Sequence, residues 1–249
     1  MHIQTSEAII LRHLDYGEAD RIVTFLTPDR GRLKGFARAA RKSRRRFGAA
    51  LETFARVRLQ WSAGRGEMVS LREADLLDLQ TGLRTDLGGL ALAGYGCELV
   101  EELLGDVQEP SGYFALLEAF LAHLAATGPS AEARLLFELR LLQEAGYIPH
   151  LLHCSECMLA LSAPEAAFDP ARGGSLCPQC AGSARRLSLG TLGSLARLLR
   201  TPATAFAGIR LGKTTIDEGE AALSAALRLH VQRPLRTLPF LEQIMGERR

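Results

Sequence analysis

Residues 154–180 read CSECMLALSAPEAAFDPARGGSLCPQC and contain two Cys-x-x-Cys pairs, Cys154 with Cys157 and Cys177 with Cys180. Each pair forms a tight turn that presents two thiolates, and the residues between the pairs let the chain return so that the two turns meet. Four thiolates match the tetrahedral ligand set of Zn²⁺ and leave no open coordination position. The spacing therefore predicts one structural zinc ion, a feature typical of an intracellular protein.

A redox-active cysteine pair is the alternative interpretation of the same residues. A thioredoxin-type pair follows a buried strand and opens a helix, whereas the second pair here encloses Pro178 and follows a Gly-rich stretch. His150 and His153 flank the first pair and are alternative ligands, although four cysteines already complete the set. Cys97 falls on the apolar stripe of a predicted helix, and we expect it to be a small buried hydrophobe.

Composition and charge limit the class of protein. The chain has 249 residues, enough for one large or two ordinary domains, and 47% of them are apolar, so it can build real cores. The net charge of +2 indicates no partner. The N-terminus lacks the pattern of a secretory signal, and the longest uncharged stretch, residues 119–131, is shorter than the ~18 residues of a membrane span. We therefore expect a cytoplasmic protein that is not bound to a membrane.

The first 80 residues favour β-structure. Five short runs rich in β-formers are separated by turn signals, of which residues 15–17, 28–31 and 62–66 are the clearest. The runs are residues 6–14, 20–27, 32–40, 51–61 and 67–79. Five short strands in about 80 residues predict a small closed barrel, because closure removes the exposed sheet edges. This gives a first domain at residues 1–80.

From residue 81 the apolar residues recur every three or four positions, which predicts helices. Leucine-rich stripes mark five of them, within residues 83–104, 114–124, 135–142, 189–199 and 223–231. Ser130 and Ser188 are placed to begin two of these helices, and Asp217 with Glu220 forms a capping-box pattern before the last. The prediction is an α+β protein with a helical domain at residues 81–249 and the zinc module inserted at about residues 150–184.

A basic block lies between Arg30 and Arg46, where nine Lys or Arg residues occur without a single acid. Alternation along the third predicted strand places Arg32, Lys34, Phe36 and Arg38 on one face. The following loop adds Arg41, Lys42, Arg44, Arg45 and Arg46. Cations suit phosphates and an aromatic ring can stack on any base, so this face and loop predict a single-stranded nucleic-acid surface.

Phe36 and Phe47 are the candidate stacking residues of the basic block, although each also suits the barrel core or rim. A solvated charged loop is the alternative explanation of the block itself.

No catalytic constellation is evident. The chain contains no GxxxxGK[ST] or GxGxxG phosphate cradle and no HExxH motif, and none of its six histidines lies in a triad context. With a closed zinc site as well, the sequence predicts a binding protein that is not an enzyme and has no small-molecule substrate.

Three segments resemble the bacterial RecO family, specifically its zinc-containing subgroup. They are RRRFGAALETF at Arg44–Phe54, LLQEAGYIPHLLHCSEC at Leu141–Cys157 and GGSLCPQC at Gly173–Cys180, and they accompany the predicted five-stranded barrel. The resemblance extends over essentially the whole chain. It implies an OB-fold barrel followed by an α-helical domain that carries a zinc-binding insertion.

The resemblance also implies a function in DNA repair and homologous recombination after DNA damage, in the RecFOR pathway. Family members bind single- and double-stranded DNA, anneal complementary strands, and act with RecR and single-stranded DNA-binding protein to load recombinase on coated DNA. Such a protein is cytoplasmic and associates with the nucleoid when active. The residues expected to contact DNA are Arg32, Lys34, Arg38, Arg41, Lys42, Arg44, Arg45 and Arg46.

The acidic, apolar-ended tail of single-stranded DNA-binding protein would need a hydrophobic pocket with a basic rim. The candidate rim residues are Arg210, Lys213, Arg228 and Arg233.

Two other classes share parts of this pattern. A zinc-ribbon regulator of transcription or RNA would also need a basic face and structural zinc, but it would prefer a sequence or a structured RNA. A thiol oxidoreductase would bind no stoichiometric zinc and would have a thiol of depressed pKa.

Overall fold

The computed structural model describes residues 2–64, 66–104 and 110–246. By packing, the chain divides into two compact units, one formed by residues 1–129 with 235–249 and the other by residues 130–234. The predicted α+β class with an N-terminal five-stranded sheet is confirmed. Within the described ranges, no helix has both the length and the apolar character needed to cross a bilayer.

The N-terminal sheet is a closed barrel with the strand order β1-β2-β3-β5-β4. Its strands are β1 (Ile3–Tyr16), β2 (Asp20–Thr27), β3 (Gly31–Ala37), β4 (Arg56–Ser62) and β5 (Val69–Asp78). All neighbours pair antiparallel except β3 and β5, whose short parallel contact closes the barrel.

Gly35 lies at the closing contact between β3 and β5. A Cβ there would lie 2.6 Å from the Leu71 side chain, so glycine leaves the room that this leucine occupies beside the closing contact.

The fourth strand begins later than the sequence predicts, at Arg56 and not at residue 51. The chain before it enters the barrel core, where Phe47 and Leu51 are 3% and 1% exposed. Phe54 has a left-handed backbone, and its N–H donates to the Ile10 carbonyl at 2.8 Å. The apolar residues before Arg56 resemble a strand in sequence, but they form turns whose side chains fill the barrel core.

In the described part of the chain, three α-helices belong to the same unit as the barrel: α1 (Leu87–Leu103), α2 (Ser111–Thr127) and α6 (Leu238–Gly246). The sequence predicts a domain boundary at residue 80, but these helices pack in one unit with the barrel. The domain boundary itself stays a prediction. Helix α6 is not evident from the sequence pattern, because it is short and carries a proline at its second position.

The second unit contains the remaining elements, which are α3 (Ala131–Glu144), β6 (Glu165–Asp169), β7 (Gly174–Leu176), β8 (Arg185–Ser188), α4 (Leu189–Leu198) and α5 (Lys213–Arg228). The predicted caps at Ser130 and Ser188 are confirmed, since each side chain accepts a hydrogen bond from a backbone N–H of the first turn. The capping box at Asp217 is wrong, because α5 begins four residues earlier, after Gly212. No Gly or Pro separates Lys213 from Asp217, so nothing delays the helix start.

Candidate functional site

The four predicted cysteine ligands converge in the second unit. The sulfur atoms of Cys154, Cys157, Cys177 and Cys180 all lie within 4.8 Å of one another. The Sγ atoms of Cys157 and Cys177 are 3.6 Å apart. Tetrahedral coordination at a Zn–S distance of ~2.3 Å places sulfur atoms about 3.8 Å apart, so the cluster has the dimensions of a metal site. His150 and His153, although both described, are not among the grouped donors.

Backbone hydrogen bonds shape both cysteine turns. In the first, the Met158 N–H donates to the Cys154 carbonyl at 3.0 Å, and the Cys154 N–H donates to the Leu159 carbonyl at 2.9 Å. In the second, the Cys180 N–H donates to the Cys177 carbonyl at 3.0 Å. Met158 has φ +61°, a conformation that favours glycine, so the first turn holds a strained residue directly after its second thiol.

A backbone bridge connects the segment before the first pair to the segment before the second. The His150 N–H donates to the Gly173 carbonyl, and the Ser175 N–H donates to the His150 carbonyl, both at 2.8 Å. Gly174 lies between these bonds at φ +121°, and a Cβ there would be 2.4 Å from the His150 carbonyl oxygen. The two sequence segments that flank the cysteines therefore fold against each other, which brings the pairs together.

The thiols have the electrostatics of a metal site. Burial raises the pKa of Cys154, but N–H groups of Cys157, Cys177 and Glu156 donate to its sulfur and lower the pKa to about 6 overall. The hydrogen bond with Cys177 is the main cause that raises the pKa of Cys180. The Cys154 thiolate thus forms readily, and its negative charge opposes ionisation of Cys180. A bound divalent cation would offset this repulsion between thiolates. The lowered pKa of Cys154 taken alone would also suit the oxidoreductase alternative, so the convergence of four sulfur atoms is the observation that fits a metal ion.

The basic block covers the outward face of β3 and the loop after it. Arg32 and Lys34 are exposed and Phe36 is half-buried, whereas the alternating Gly35 and Ala37 are buried. Arg38 follows the strand and is exposed. The period-two arrangement expected from the sequence is thus present.

Three of the eight predicted DNA-binding residues are engaged within the protein. Arg32 donates to the Glu101 carbonyl, and Arg41 pairs with the Asp15 carboxylate at 3.4 Å. Arg46 donates to the Arg38 carbonyl at 2.7 Å, and its guanidinium lies 5.0 Å from the centre of the Phe47 ring. Arg32 thus joins β3 to α1, whereas Arg41 connects the loop to β1 and Arg46 connects it to the end of β3.

The other five cations face solvent. Among the described residues their side chains make no hydrogen bond or ion pair with the protein, and all are exposed: Lys34, Arg38, Lys42, Arg44 and Arg45.

The two candidate stacking residues have different environments. Phe47 is 3% exposed and belongs to the barrel core, which was the alternative open at the sequence level. Phe36 faces outward, and its ring meets the edge of Tyr16 with ring centres 6.0 Å apart. Sequence reasoning missed Tyr16, because only the pairing of β1 with β2 and of β2 with β3 brings it beside Phe36.

The four candidate rim residues for a protein partner do not form one cluster. All are exposed, but Lys213 and Arg228 are the first and last residues of α5, about 22 Å apart at a rise of ~1.5 Å per residue. In the sequence, Arg210 lies three residues before Lys213 and Arg233 lies five residues after Arg228, so the four residues group as two pairs of sequence neighbours. Cys97 is buried as expected, and burial raises the pKa of its thiol.

Comparisons with known proteins agree with the resemblance of the three sequence segments to the RecO family. Family models described as Recombination protein O N terminal and C terminal match residues 1–80 and 84–239. A protein named DNA repair protein RecO from Syntrophotalea carbinolica is 48% identical over 243 residues, which cover 96% of this chain and 94% of the relative. Proteins of the same name from Pelobacter propionicus and Geobacter sulfurreducens are each 38% identical, with at least 98% of each chain covered. The chain therefore belongs to the RecO family of DNA repair proteins.

Proposed function

We propose that this chain is a recombination mediator that binds single- and double-stranded DNA and anneals complementary strands. Five exposed cations without a protein partner in the described residues are the observation that carries the proposal. They lie on one strand and its following loop, in a segment without acids between Arg30 and Arg46. Such a surface attracts phosphates irrespective of base sequence.

The barrel supports this proposal through its topology. The strand order β1-β2-β3-β5-β4 in a closed five-stranded barrel is that of an OB-fold, an architecture that binds oligonucleotides along its strands and adjoining loops. Annealing follows from the same electrostatics. Cations that neutralise the phosphates of two strands reduce the repulsion between them and let the bases pair.

We propose one structural Zn²⁺ as the metal of the four-cysteine cluster. Cys154, Cys157, Cys177 and Cys180 would hold it, and the ion would supply a cross-link between the two cysteine turns. Four sulfur donors select a soft or borderline cation, and their distances suit tetrahedral coordination. The ion stabilises the fold and takes no part in a reaction, in keeping with a protein that is not an enzyme.

The partners follow from family membership and are part of the proposal. RecR and single-stranded DNA-binding protein would act with this chain at the bacterial nucleoid, so that recombinase loads on coated single strands. The acidic tail of single-stranded DNA-binding protein needs cations, and the candidates are two pairs of exposed sequence neighbours, Arg210 with Lys213 and Arg228 with Arg233. Reversing the charge of one pair at a time tests which of them a synthetic acidic tail peptide uses.

An annealing assay tests the proposed activity. Two complementary oligonucleotides with a fluorophore and a quencher are mixed with the protein, and the rate of quenching is recorded. We expect the wild type to accelerate annealing for unrelated sequences equally, and Arg44→Glu/Arg45→Glu to remove most of the acceleration. The matched control is Arg197→Glu/Arg200→Glu, which changes two exposed arginines near the end of α4. No acceleration by the wild type, or acceleration restricted to one sequence, would contradict the proposal and favour a sequence-specific regulator.

A further inference from the structure

An apolar row crosses three strands on the outside of the barrel. Strand pairing sets Leu14 of β1 opposite Ile22 of β2, and Ile22 opposite Phe36 of β3. Leu14 is 58% exposed, and Ile22 and Phe36 are half-buried. Tyr16, 56% exposed, lies two residues beyond Leu14 and meets Phe36 in an edge-to-face contact at 78°. Four neighbouring apolar side chains therefore line the water-facing side of the sheet.

The helices of the same unit leave this row uncovered. Further along β2, the outward-facing Thr24 and Leu26 are 1% and 0% exposed, where the sheet packs under α1 and α2. On β3, Arg32 lies at the end of the sheet that the helices cover, and it donates a hydrogen bond to the Glu101 carbonyl of α1. The protein thus buries one half of the outward face, whereas in the Leu14–Ile22–Phe36 half Leu14 is exposed and Ile22 and Phe36 are only half-buried. Contiguous exposed apolar surface of this kind indicates a binding site.

Charge complementarity indicates the occupant. Lys34 lies two residues before Phe36 on the same face, Arg38 lies two residues after it, and the cationic loop continues from there. Neither side chain has a protein partner among the described residues. An apolar row between cations matches a polyanion with flat apolar groups between its charges, which is a single nucleic-acid strand. Duplex DNA does not match, because its bases are already stacked and paired inside the helix.

We propose that Leu14, Tyr16, Ile22 and Phe36 form a platform on which unpaired bases stack while Lys34 and Arg38 hold the flanking phosphates. This inference rests on the proposed function and adds to it a site that contacts bases. The cationic loop binds phosphates in single strands and duplexes alike. The platform binds only single strands, and it does so without reading sequence, since every base has an apolar face.

The test separates base contacts from phosphate contacts. Fluorescence anisotropy measures the affinity of the full chain for an oligothymidylate, for an abasic phosphodiester of equal length and for a duplex. We expect the wild type to bind the oligothymidylate at least about tenfold more tightly than the abasic strand, since stacking contributes ~1–3 kcal/mol per base. Tyr16→Ala/Phe36→Ala should bring this ratio close to one and leave duplex affinity unchanged.

A control variant and a second platform variant complete the test. Leu76→Ala/Leu77→Ala removes two exposed leucines of β5 and should preserve the ratio. Because Phe36 is half-buried, Tyr16→Ala alone is the second variant, and it should lower the ratio severalfold without loss of thermal stability. A wild-type ratio near one, or a ratio unchanged in both platform variants, overturns the platform and assigns the row to a protein partner. Failure of the wild type to bind any of the three probes overturns the proposed function itself.

Discussion

At the residue scale, neighbouring arginines of the basic block have different roles. Arg46 and Arg44 are two positions apart, yet Arg46 donates to the Arg38 carbonyl and the Ser43 hydroxyl, whereas Arg44 is exposed without a partner among the described residues. Charge patterning shows where cations are dense, but it does not show which of them the fold already uses. Only the conformation of the loop separates the two groups.

Arg46→Ala should therefore destabilise the protein, and Arg44→Ala should not. Loss of the two hydrogen bonds of Arg46 and its packing on Phe47 should lower the free energy of unfolding by about 1–2 kcal/mol. Urea unfolding followed by circular dichroism measures both variants. Equal stabilities of the two variants would show that Arg46 is as free as Arg44.

At the scale of elements, side chains from one helix complete the ends of others. The Glu98 carboxylate of α1 accepts hydrogen bonds from the N–H groups of Arg236 and Thr237 and from the Thr237 hydroxyl, at the beginning of α6. The Glu218 carboxylate of α5 accepts from the Ser188 N–H and hydroxyl, at the beginning of α4. These long-range caps have no local sequence signature, which is one reason why α6 was not predicted.

Glu98→Gln should loosen α6. The amide keeps the shape of the side chain but loses the charge that favours a helix N-terminus, at a cost of about 1 kcal/mol. Hydrogen exchange should show faster exchange in residues 238–246 and unchanged protection in α2. Glu102→Gln, a change in the same helix, is the matched control. If Glu98→Gln leaves the hydrogen-exchange protection of α6 unchanged, the charge of the Glu98 carboxylate does not stabilise this helix.

Glu218 should make the α4–α5 contact sensitive to acid. Burial raises the pKa of its carboxyl, but the hydrogen bonds from Thr191 and Ser188 outweigh burial and lower the pKa below the usual 4.5. A lowered folded-state pKa means that this stabilisation is present above pH ~4.5 and is lost as pH falls through the folded value. Thermal melting of wild type and Glu218→Gln between pH 7 and pH 3 should converge as the pH falls. A constant difference between their melting temperatures would contradict the prediction.

At the scale of the whole molecule, the sequence predicted what periodicity and spacing determine. Alternation predicted the barrel, leucine stripes predicted five helices, and the spacing of the cysteine pairs predicted the four-cysteine cluster, because each is a local pattern with a direct geometric meaning. It did not predict Leu51 inside the barrel, the three short strands of the cysteine module or the row formed by Leu14 and Phe36. Those features depend on strand register and long-range packing, which a single sequence does not specify.

Metal removal should unfold the cysteine module locally. Without a cation the four thiols lose their cross-link, so chelation should lower the melting temperature and accelerate hydrogen exchange over residues 150–188. Added Zn²⁺ should restore both, and exchange in the barrel strands should not change. Cys177→Ala should lose stoichiometric zinc, whereas Cys97→Ala, at a cysteine outside the cluster, should retain it. Undiminished protection of residues 150–188 after full metal removal would contradict a structural role.

The central claim is that exposed cations on β3 and its loop bind DNA phosphates. Its most direct test is the salt dependence of binding to a labelled single strand, measured by anisotropy for the wild type and for Arg44→Ala/Arg45→Ala. If each of the five free cations contacts one phosphate, the plot of log affinity against log salt should have a slope of about −3.5, and the variant should have one of about −2.1. Arg197→Ala/Arg200→Ala should keep the wild-type slope. A wild-type slope near zero, or equal slopes for wild type and Arg44→Ala/Arg45→Ala, would contradict the claim.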